Sequence, residues 1–271
     1  MSARLFCVPR GLPVFRVSLL FNLFVFSSVV FSQIIDPTFA PVLQDFTESS
    51  GSSRAVVSLV QPDGKILVGG VFTVASGLPR SGIARFNADG SLDATFNTGA
   101  GFTNGLSVID TAIAPDGKIY IVGDFQIFND ATRWRVARLN ANGSIDVTFN
   151  TSTPLAGNVA AVSVLPDGKI FIVGAFPFPP AQNFYNNIAR MNTDGSYDTN
   201  FNNASVTFEG EGYAIRQQPD GKVLIGGTLT VSNGLLADGI TRLNSDGTLD
   251  LNFFRNPDGG IVFDMERQSD G

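Results

Sequence analysis

The sequence contains no histidine, and its one cysteine is Cys7. Without histidine there is no imidazole-based triad, and without a thiol beyond residue 7 there is no cysteine nucleophile in the body of the chain. The commonest zinc sites are excluded for the same reason. Disulfides cannot hold the fold, so stability has to come from packing and strand pairing. Tryptophan occurs once, at Trp134, and charged residues make up only 15% of the chain. No segment keeps a helical period, so the apolar pattern reads as strands.

What is abundant is glycine, 29 residues, and phenylalanine, 24. Glycine with many β-branched and Phe residues favours strands and turns. Residues 1–32 stand apart. They carry Arg4, Arg10 and Arg16, no acid, and an uncharged run from Val17 to Phe31. A basic start followed by an apolar run too short for a membrane span reads as a secretory signal cut before Gln33. Cys7 lies ahead of the run, the wrong place for a lipid-anchored cysteine. Without this segment, 15 of the 18 basic residues remain against all 24 acids, a net charge of −9. An acidic surface of this kind argues against nucleic acid and anionic membranes as partners, and no span is expected after signal cleavage.

From residue 53 onward the chain repeats itself. "QPDGKILVGG" (61–70) returns as "APDGKIYIVG" (114–123), "LPDGKIFIVG" (165–174) and "QPDGKVLIGG" (218–227). The turn pairs are Asp63-Gly64, Asp116-Gly117, Asp167-Gly168 and Asp220-Gly221, at intervals of 53, 51 and 53 residues. A second motif keeps the same beat: "IARFNADGSLDATFN" (83–97), "VARLNANGSIDVTFN" (136–150), "IARMNTDGSYDTNFN" (188–202) and "ITRLNSDGTLDLNFF" (240–254). Each unit holds four strand-sized pieces, in the first copy 53–61, 65–74, 82–87 and 91–96. Asp-Gly between two β-type runs is a strong hairpin signal. Each repeat, 53–97, 106–150, 158–202 and 210–254, therefore reads as a four-stranded antiparallel meander. The second piece is apolar almost throughout, which suggests burial on both faces. Meanders packed around an axis supply that burial, and a period near 50 residues suits a β-propeller blade. A β-solenoid is the alternative, although its repeats are usually shorter and lack two hairpin turns each.

The pattern "PDGK(I/V)…GG.F" followed by "(I/V)ARLN.DGS.D.TFN" resembles the delta-60 repeat of bacterial secreted and surface proteins. The copies vary around the glycine pair, which is Gly69-Gly70 in the first, Gly123-Asp124 in the second and Gly174-Ala175 in the third. The fourth has Thr228-Leu229 where the others have an apolar residue and Phe. The resemblance spans about residues 33–271 and implies a β-propeller fold and an extracellular or outer-surface location, but no activity. "IIDPTFAP" (34–41) matches the tail of the second motif, a partial strand over 33–41. Residues 260–271 end in "RQSDG" (267–271), the start of a further repeat. The expectation is an all-β fragment of about 52 residues per repeat, forming an incomplete ring, an open arc, with more repeats beyond Gly271.

Several residues could carry chemistry. Arg85, Arg138, Arg190 and Arg242 could form a ring of cations for a ligand. Their recurrence beside Asp93, Asp146, Asp198 and Asp250 favours buried pairs that fix each hairpin, because repeat units share their structural residues. Lys65, Lys118, Lys169 and Lys222 read as solvated strand ends. "NADGSLD" and "NTDGSYD" resemble part of a calcium loop but lack its closing Glu, so a plain Asp-Gly turn fits better and no cofactor is expected. Asp124, Glu209 and Glu211 are the less symmetric acids, and nothing in sequence brings two of them together.

Variable loops on a rigid scaffold are the usual place for recognition. Loop 124–135 holds Trp134, and loop 175–187 holds Phe178 and Tyr185. These three are the candidate ligand contacts, while Phe176, Phe178 and Trp134 could instead plug gaps between blades, the reading favoured for the two Phe residues. The functional expectation is a secreted or surface scaffold, without catalysis, binding protein or glycan through these loops. A carbohydrate-active enzyme with converging acids is the alternative, and a ligand-free spacer is a third.

Overall fold

The computed structural model describes residues 43–44, 54–104, 107–129, 131–151, 155, 157–176, 187–201, 208–231, 239–253 and 260–266. The expected signal segment (1–32) and partial strand (33–41) lie outside the described residues, as do residues 267–271. All described strands pair antiparallel, and they repeat in four blades. No helix among the described residues is long and apolar enough to cross a membrane.

Each blade starts with an inner strand: Arg54–Val60, Ser107–Ile113, Asn158–Val164 and Gly212–Gln217. The Pro-Asp-Gly turn leads into a middle strand: Ile66–Val71, Ile119–Asp124, Ile170–Ala175 and Val223–Gly227. An outer strand follows: Ile83–Phe86, Val136–Leu139, Ile188–Met191 and Ile240–Leu243. The middle strands are buried on both faces, as their unbroken apolar runs require. Inner strands of neighbouring blades pack closely on one another, so the inner strands line the axial side. Within residues 35–271 no sheet among the described strands closes on itself, and the four blades form an open series.

Close approach of blades depends on small residues in the middle strand. A Cβ on Gly69 would fall 2.7 Å from Val108 Cγ1 of the next blade and equally near Val57 Cγ1 of its own. The side chains that fill this space form a chain of apolar clusters running from blade to blade, such as Tyr120, Phe149, Val162 and Ile172 in one and Phe171, Phe201 and Ile225 in the next.

The fourth piece of each repeat differs from a regular strand. It contributes one bridge, Phe86↔Leu92, Leu139↔Ile145, Met191↔Tyr197 or Leu243↔Leu249. The repeated Asp then ends the pairing. Its carboxylate takes the N–H two residues on, and the next Phe amide donates to its carbonyl, as Phe96 does to Asp93 at 3.2 Å. The chain curls into a turn that tucks this Phe beneath the sheet. At the opposite end of the blades, the variable loops form short accessory ladders. Val74–Ala75 pairs with Leu78–Pro79 and Leu43–Gln44, Ile127–Phe128 with Ala131–Thr132 and Phe102–Asn104, and Phe208–Glu209 with Thr230–Val231.

Candidate functional site

The two ends of the blades carry different chemistry. At the Asp-Gly turn end, the register places Arg85, Arg138, Arg190 and Arg242 opposite Leu67, Tyr120, Phe171 and Leu224 of the middle strands. Each Arg donates from Nε to Oδ2 of the Asp eight residues on, at 2.7, 2.8, 2.7 and 2.8 Å. The same Oδ2 accepts the Nζ of Lys65, Lys118, Lys169 or Lys222 at 2.9, 2.9, 2.7 and 2.8 Å. These lysines are therefore not merely solvated strand ends. The turn geometry lays each one across the blade onto a buried carboxylate. The other oxygen, Oδ1, holds the turn by accepting the backbone N–H of Thr95, Thr148, Asn200 or Asn252.

The guanidinium also lies over the tucked ring, 4.7 Å from Phe96, 5.1 Å from Phe149 and Phe201, and 4.7 Å from Phe253. Its Nη1 then reaches the following blade, donating to the carbonyls of Ala141 (2.7 Å), Thr193 (2.6 Å) and Ser245 (2.9 Å) from Arg85, Arg138 and Arg190. A second bond runs alongside, from the amides of Asn97 and Asn150 to the carbonyls of Asn142 and Asp194. Each of the first three blades thus grips the second turn of the next one. Burial alone would raise the Asp93 and Asp146 carboxyls, but their hydrogen bonds from Thr, Lys and Arg outweigh it and hold both well below the usual range. At Asp250 the Lys222 ammonium leads, and the carboxyl is lowered to about 2.

This network occupies the recurring charges. A cleft of about 560 Å³ between blades 2 and 3 is lined by Lys118, Tyr120, Arg138 and Asp194, but its cations already face Asp146. The calcium-like loops are turns in which Asp89, Asn142, Asp194 and Asp246 accept the N–H and hydroxyl two residues on. The repeated Asp63, Asp116, Asp167 and Asp220 cap the following lysine amides in the same way, each at 3.1 Å. Their partners Gly64, Gly117, Gly168 and Gly221 hold the positive φ that the turn needs.

The variable-loop end breaks the repeat. Trp134 is half-buried there. Beside it Arg135 binds Asp124 at 2.6 Å and reaches the Leu155 carbonyl at 3.3 Å. Phe178 and Tyr185 lie outside the described residues. Phe176 is fully buried and does plug the space between blades. Glu209 and Glu211 are exposed, and Glu211 accepts the Tyr213 hydroxyl at 3.0 Å. That bond, led by the Glu211 carboxylate, raises the Tyr213 phenol. Tyr213 in turn stacks on Phe263, with centroids 5.4 Å apart and planes at 18°.

Two further non-repeated acids lie on the axial side, and sequence reasoning missed both. Aligning the inner strands on their turn glycines would have shown them. Asp110 and Asp264 stand where other repeats have Val57, Ala161 and Ala214. Asp110 accepts the N–H of Thr111 and, across the blade boundary, that of Val162 at 2.9 Å. Burial pushes its carboxyl up to about 6 against the Val162 and Thr111 N–H bonds and the Arg216 charge, and Asp264 reinforces the rise. A folded-state pKa above the unfolded value means that the neutral form fits the fold better. The stabilising contribution is full below about pH 4 and is lost as pH rises through about 6. Asp110→Asn should remove that dependence but can accept only one of the two N–H groups, so its stability relative to wild type should rise by about 1–3 kcal/mol between pH 4 and pH 8. Urea unfolding at both pH values checks this, and equal differences at both would contradict it.

The sequence matches a family described as "Domain of unknown function (DUF5122) beta-propeller" at residues 61–96, 114–149, 165–201 and 218–253, once per blade. None of the curated proteins matches significantly. Among solved structures, a protein of unknown function from Bacteroides caccae is 16% identical, with a TM-score of 0.37, covering 74% of this chain and 67% of that one. PorZ, a surface component of the type-IX secretion system of Porphyromonas gingivalis, is 16% identical, with a TM-score of 0.38, over 69% of this chain and 24% of that one. XC5397, a gluconolactonase from Xanthomonas campestris, is 15% identical, with a TM-score of 0.35, over 79% and 87%. Against two further structures the chain spans 60% and 54% of their length.

Proposed function

Because the chain belongs to the DUF5122 β-propeller family, we propose that it is a non-catalytic binding scaffold, secreted or displayed at the cell surface. It engages glycan or protein through the end that carries the variable loops, and it needs no cofactor to do so. One observation carries this reading: the recurring Lys, Asp and Arg residues are bound to each other and to the next blade, while Trp134, the Asp124–Arg135 pair and Glu211 break the repeat at the loop end. Rigid repeats that hold divergent loops are a common platform for recognition. The basic, then apolar, first 32 residues support export.

The enzyme reading needs paired acids free to transfer protons. Asp110, the acid with the raised carboxyl, has both oxygens engaged by backbone N–H groups, which suits a structural cap. The test uses the full chain expressed in a bacterial host with a cell envelope. The exported protein is screened on a glycan array and, in parallel, against glycoside and lactone substrates. Binding without turnover is the expected result. Turnover that disappears in Asp110→Asn would overturn the scaffold reading in favour of the enzyme.

A further inference from the structure

Tyr213 lies on the inner strand of blade 4, and Phe263 holds the same step of the sequence repeat in residues 260–266. Counted back from the turn glycines, that step is Val56, Ile109, Ala160, Tyr213 and Phe263. In the four blades this is the residue skipped by the strand register, since pairing jumps from Ala55 to Val57, Val108 to Asp110, Val159 to Ala161 and Gly212 to Ala214. A bulge re-aims its extra side chain away from the regular pleat. Three blades place an aliphatic residue there. Tyr213 and Phe263 instead form a nearly parallel aromatic pair. Two residues before Tyr213 the other repeats have Arg54, Ser107 and Asn158, and here stands Glu211. The ring pair and the acid therefore depart from the repeat together.

The assembly is held in place. The backbone of Glu211 is bonded on both sides to Thr228, its N–H to Oγ1 at 2.9 Å and its carbonyl to the amide at 2.9 Å. Its carboxylate is fixed by the Tyr213 hydroxyl. Next to Phe263 in residues 260–266, Val262 fills the space over Gly226 and donates to the Gly227 carbonyl at 3.2 Å. On the other side of Phe263 in the chain, Asp264 faces Arg216 at 3.6 Å. Against the described residues Phe263 is 69% exposed and Ile261 55%.

We propose that Tyr213, Phe263 and Glu211 form a subsite for the pyranose ring of a β-linked glycan of glucose or xylose type. This rests on the binding-scaffold reading and names its ligand class. Such a sugar has equatorial hydroxyls and presents axial C–H groups as an apolar face, which matches an exposed ring of fixed orientation. Its equatorial hydroxyls need acceptors beside the ring pair, and Glu211 supplies a carboxylate at the hydroxyl edge of Tyr213. Few polar groups beside an apolar wall are the usual make-up of a small-ligand site.

The experiment titrates the full chain with cellohexaose, xylohexaose and chitohexaose, using saturation-transfer NMR and calorimetry. A lysine hexapeptide serves as a second probe, since an aromatic face beside acids also suits a cation. At least one hexaose should bind, with saturation strongest at the axial C–H protons of one or two residues. Phe263→Ala should weaken it about ten-fold or more, and Glu211→Gln several-fold. Tyr213→Phe keeps the ring and should keep most of the affinity. An unchanged thermal midpoint in Phe263→Ala shows that the fold is intact. No hexaose binding, or binding of the lysine peptide alone, overturns the subsite. Hexaose binding lost in Trp134→Ala but unaffected by Phe263→Ala also overturns it, and leaves the scaffold standing. Hydrolysis of the probes overturns the scaffold reading itself.

Discussion

Replacing Asp146 by alanine should lower the unfolding free energy by about 3–5 kcal/mol, because it leaves the buried Arg138 guanidinium without its counter-charge. Arg138 and Lys118 both point at Asp146, and the Arg138 side chain is only 6% exposed. The variant also loses the acceptor for the Thr148 amide and hydroxyl, which shape the turn beneath Phe149. Asp146→Asn keeps an acceptor but not the charge, so its loss should be smaller. The comparison pair is Arg216–Asp264, whose side chains are 38% and 64% exposed. Solvent screens such a pair, and Asp264→Ala should cost at most about 1 kcal/mol. Urea denaturation of the three variants tests the ranking. A loss under about 1 kcal/mol for Asp146→Ala would mean that the buried network is not holding the blades. Acid should act in the same direction. The lowered Asp carboxyls contribute stability above about pH 4, and it is lost as pH falls through their folded values, about 2 at Asp250.

The second large effect concerns the grip between blades. Gly195 sits in the second turn of blade 3 with φ +91°, and a Cβ there would fall 2.6 Å from the Asn150 carbonyl oxygen of blade 2. Gly195→Val should lose about 2–5 kcal/mol, combining left-handed backbone strain with displacement of a neighbouring main chain. Gly77 separates the two contributions. Its φ is +78°, but nothing lies within 4 Å of a Cβ built there. Gly77→Val should therefore lose only about 1–2 kcal/mol, the conformational part. Equal losses at both positions would show that the blade contact adds nothing.

Much of this was legible in the residues. Two motifs repeating in register gave the blades, their hairpin turns and the pairing of Arg85 with Asp93, because these depend on short-range spacing. The lysines were not legible. Lys65 and Asp93 are 28 residues apart, and only the strand register brings them together. The fourth strand failed for a local reason. The Asp that looks like part of a strand uses its side chain to close a turn, so "SLDATF" forms one bridge and no ladder. The subsite was hidden because its parts belong to different repeats. Tyr213 and Phe263 are 50 residues apart, and their partnership appears only when inner strands are aligned by blade. Trp134 was readable as a loop aromatic, but not the half-buried setting beside the Asp124–Arg135 pair.

In the proposed reading the two ends of the blades divide the labour: repeated charges hold blades together, and residues that break the repeat bind. One paired measurement addresses this directly, the thermal midpoint and hexaose affinity of Asp146→Asn and Phe263→Ala against wild type. The predicted result is a lower midpoint with unchanged affinity for Asp146→Asn, and an unchanged midpoint with lost affinity for Phe263→Ala. Lost affinity in Asp146→Asn at an unchanged midpoint would place recognition at the repeated charges and contradict the account.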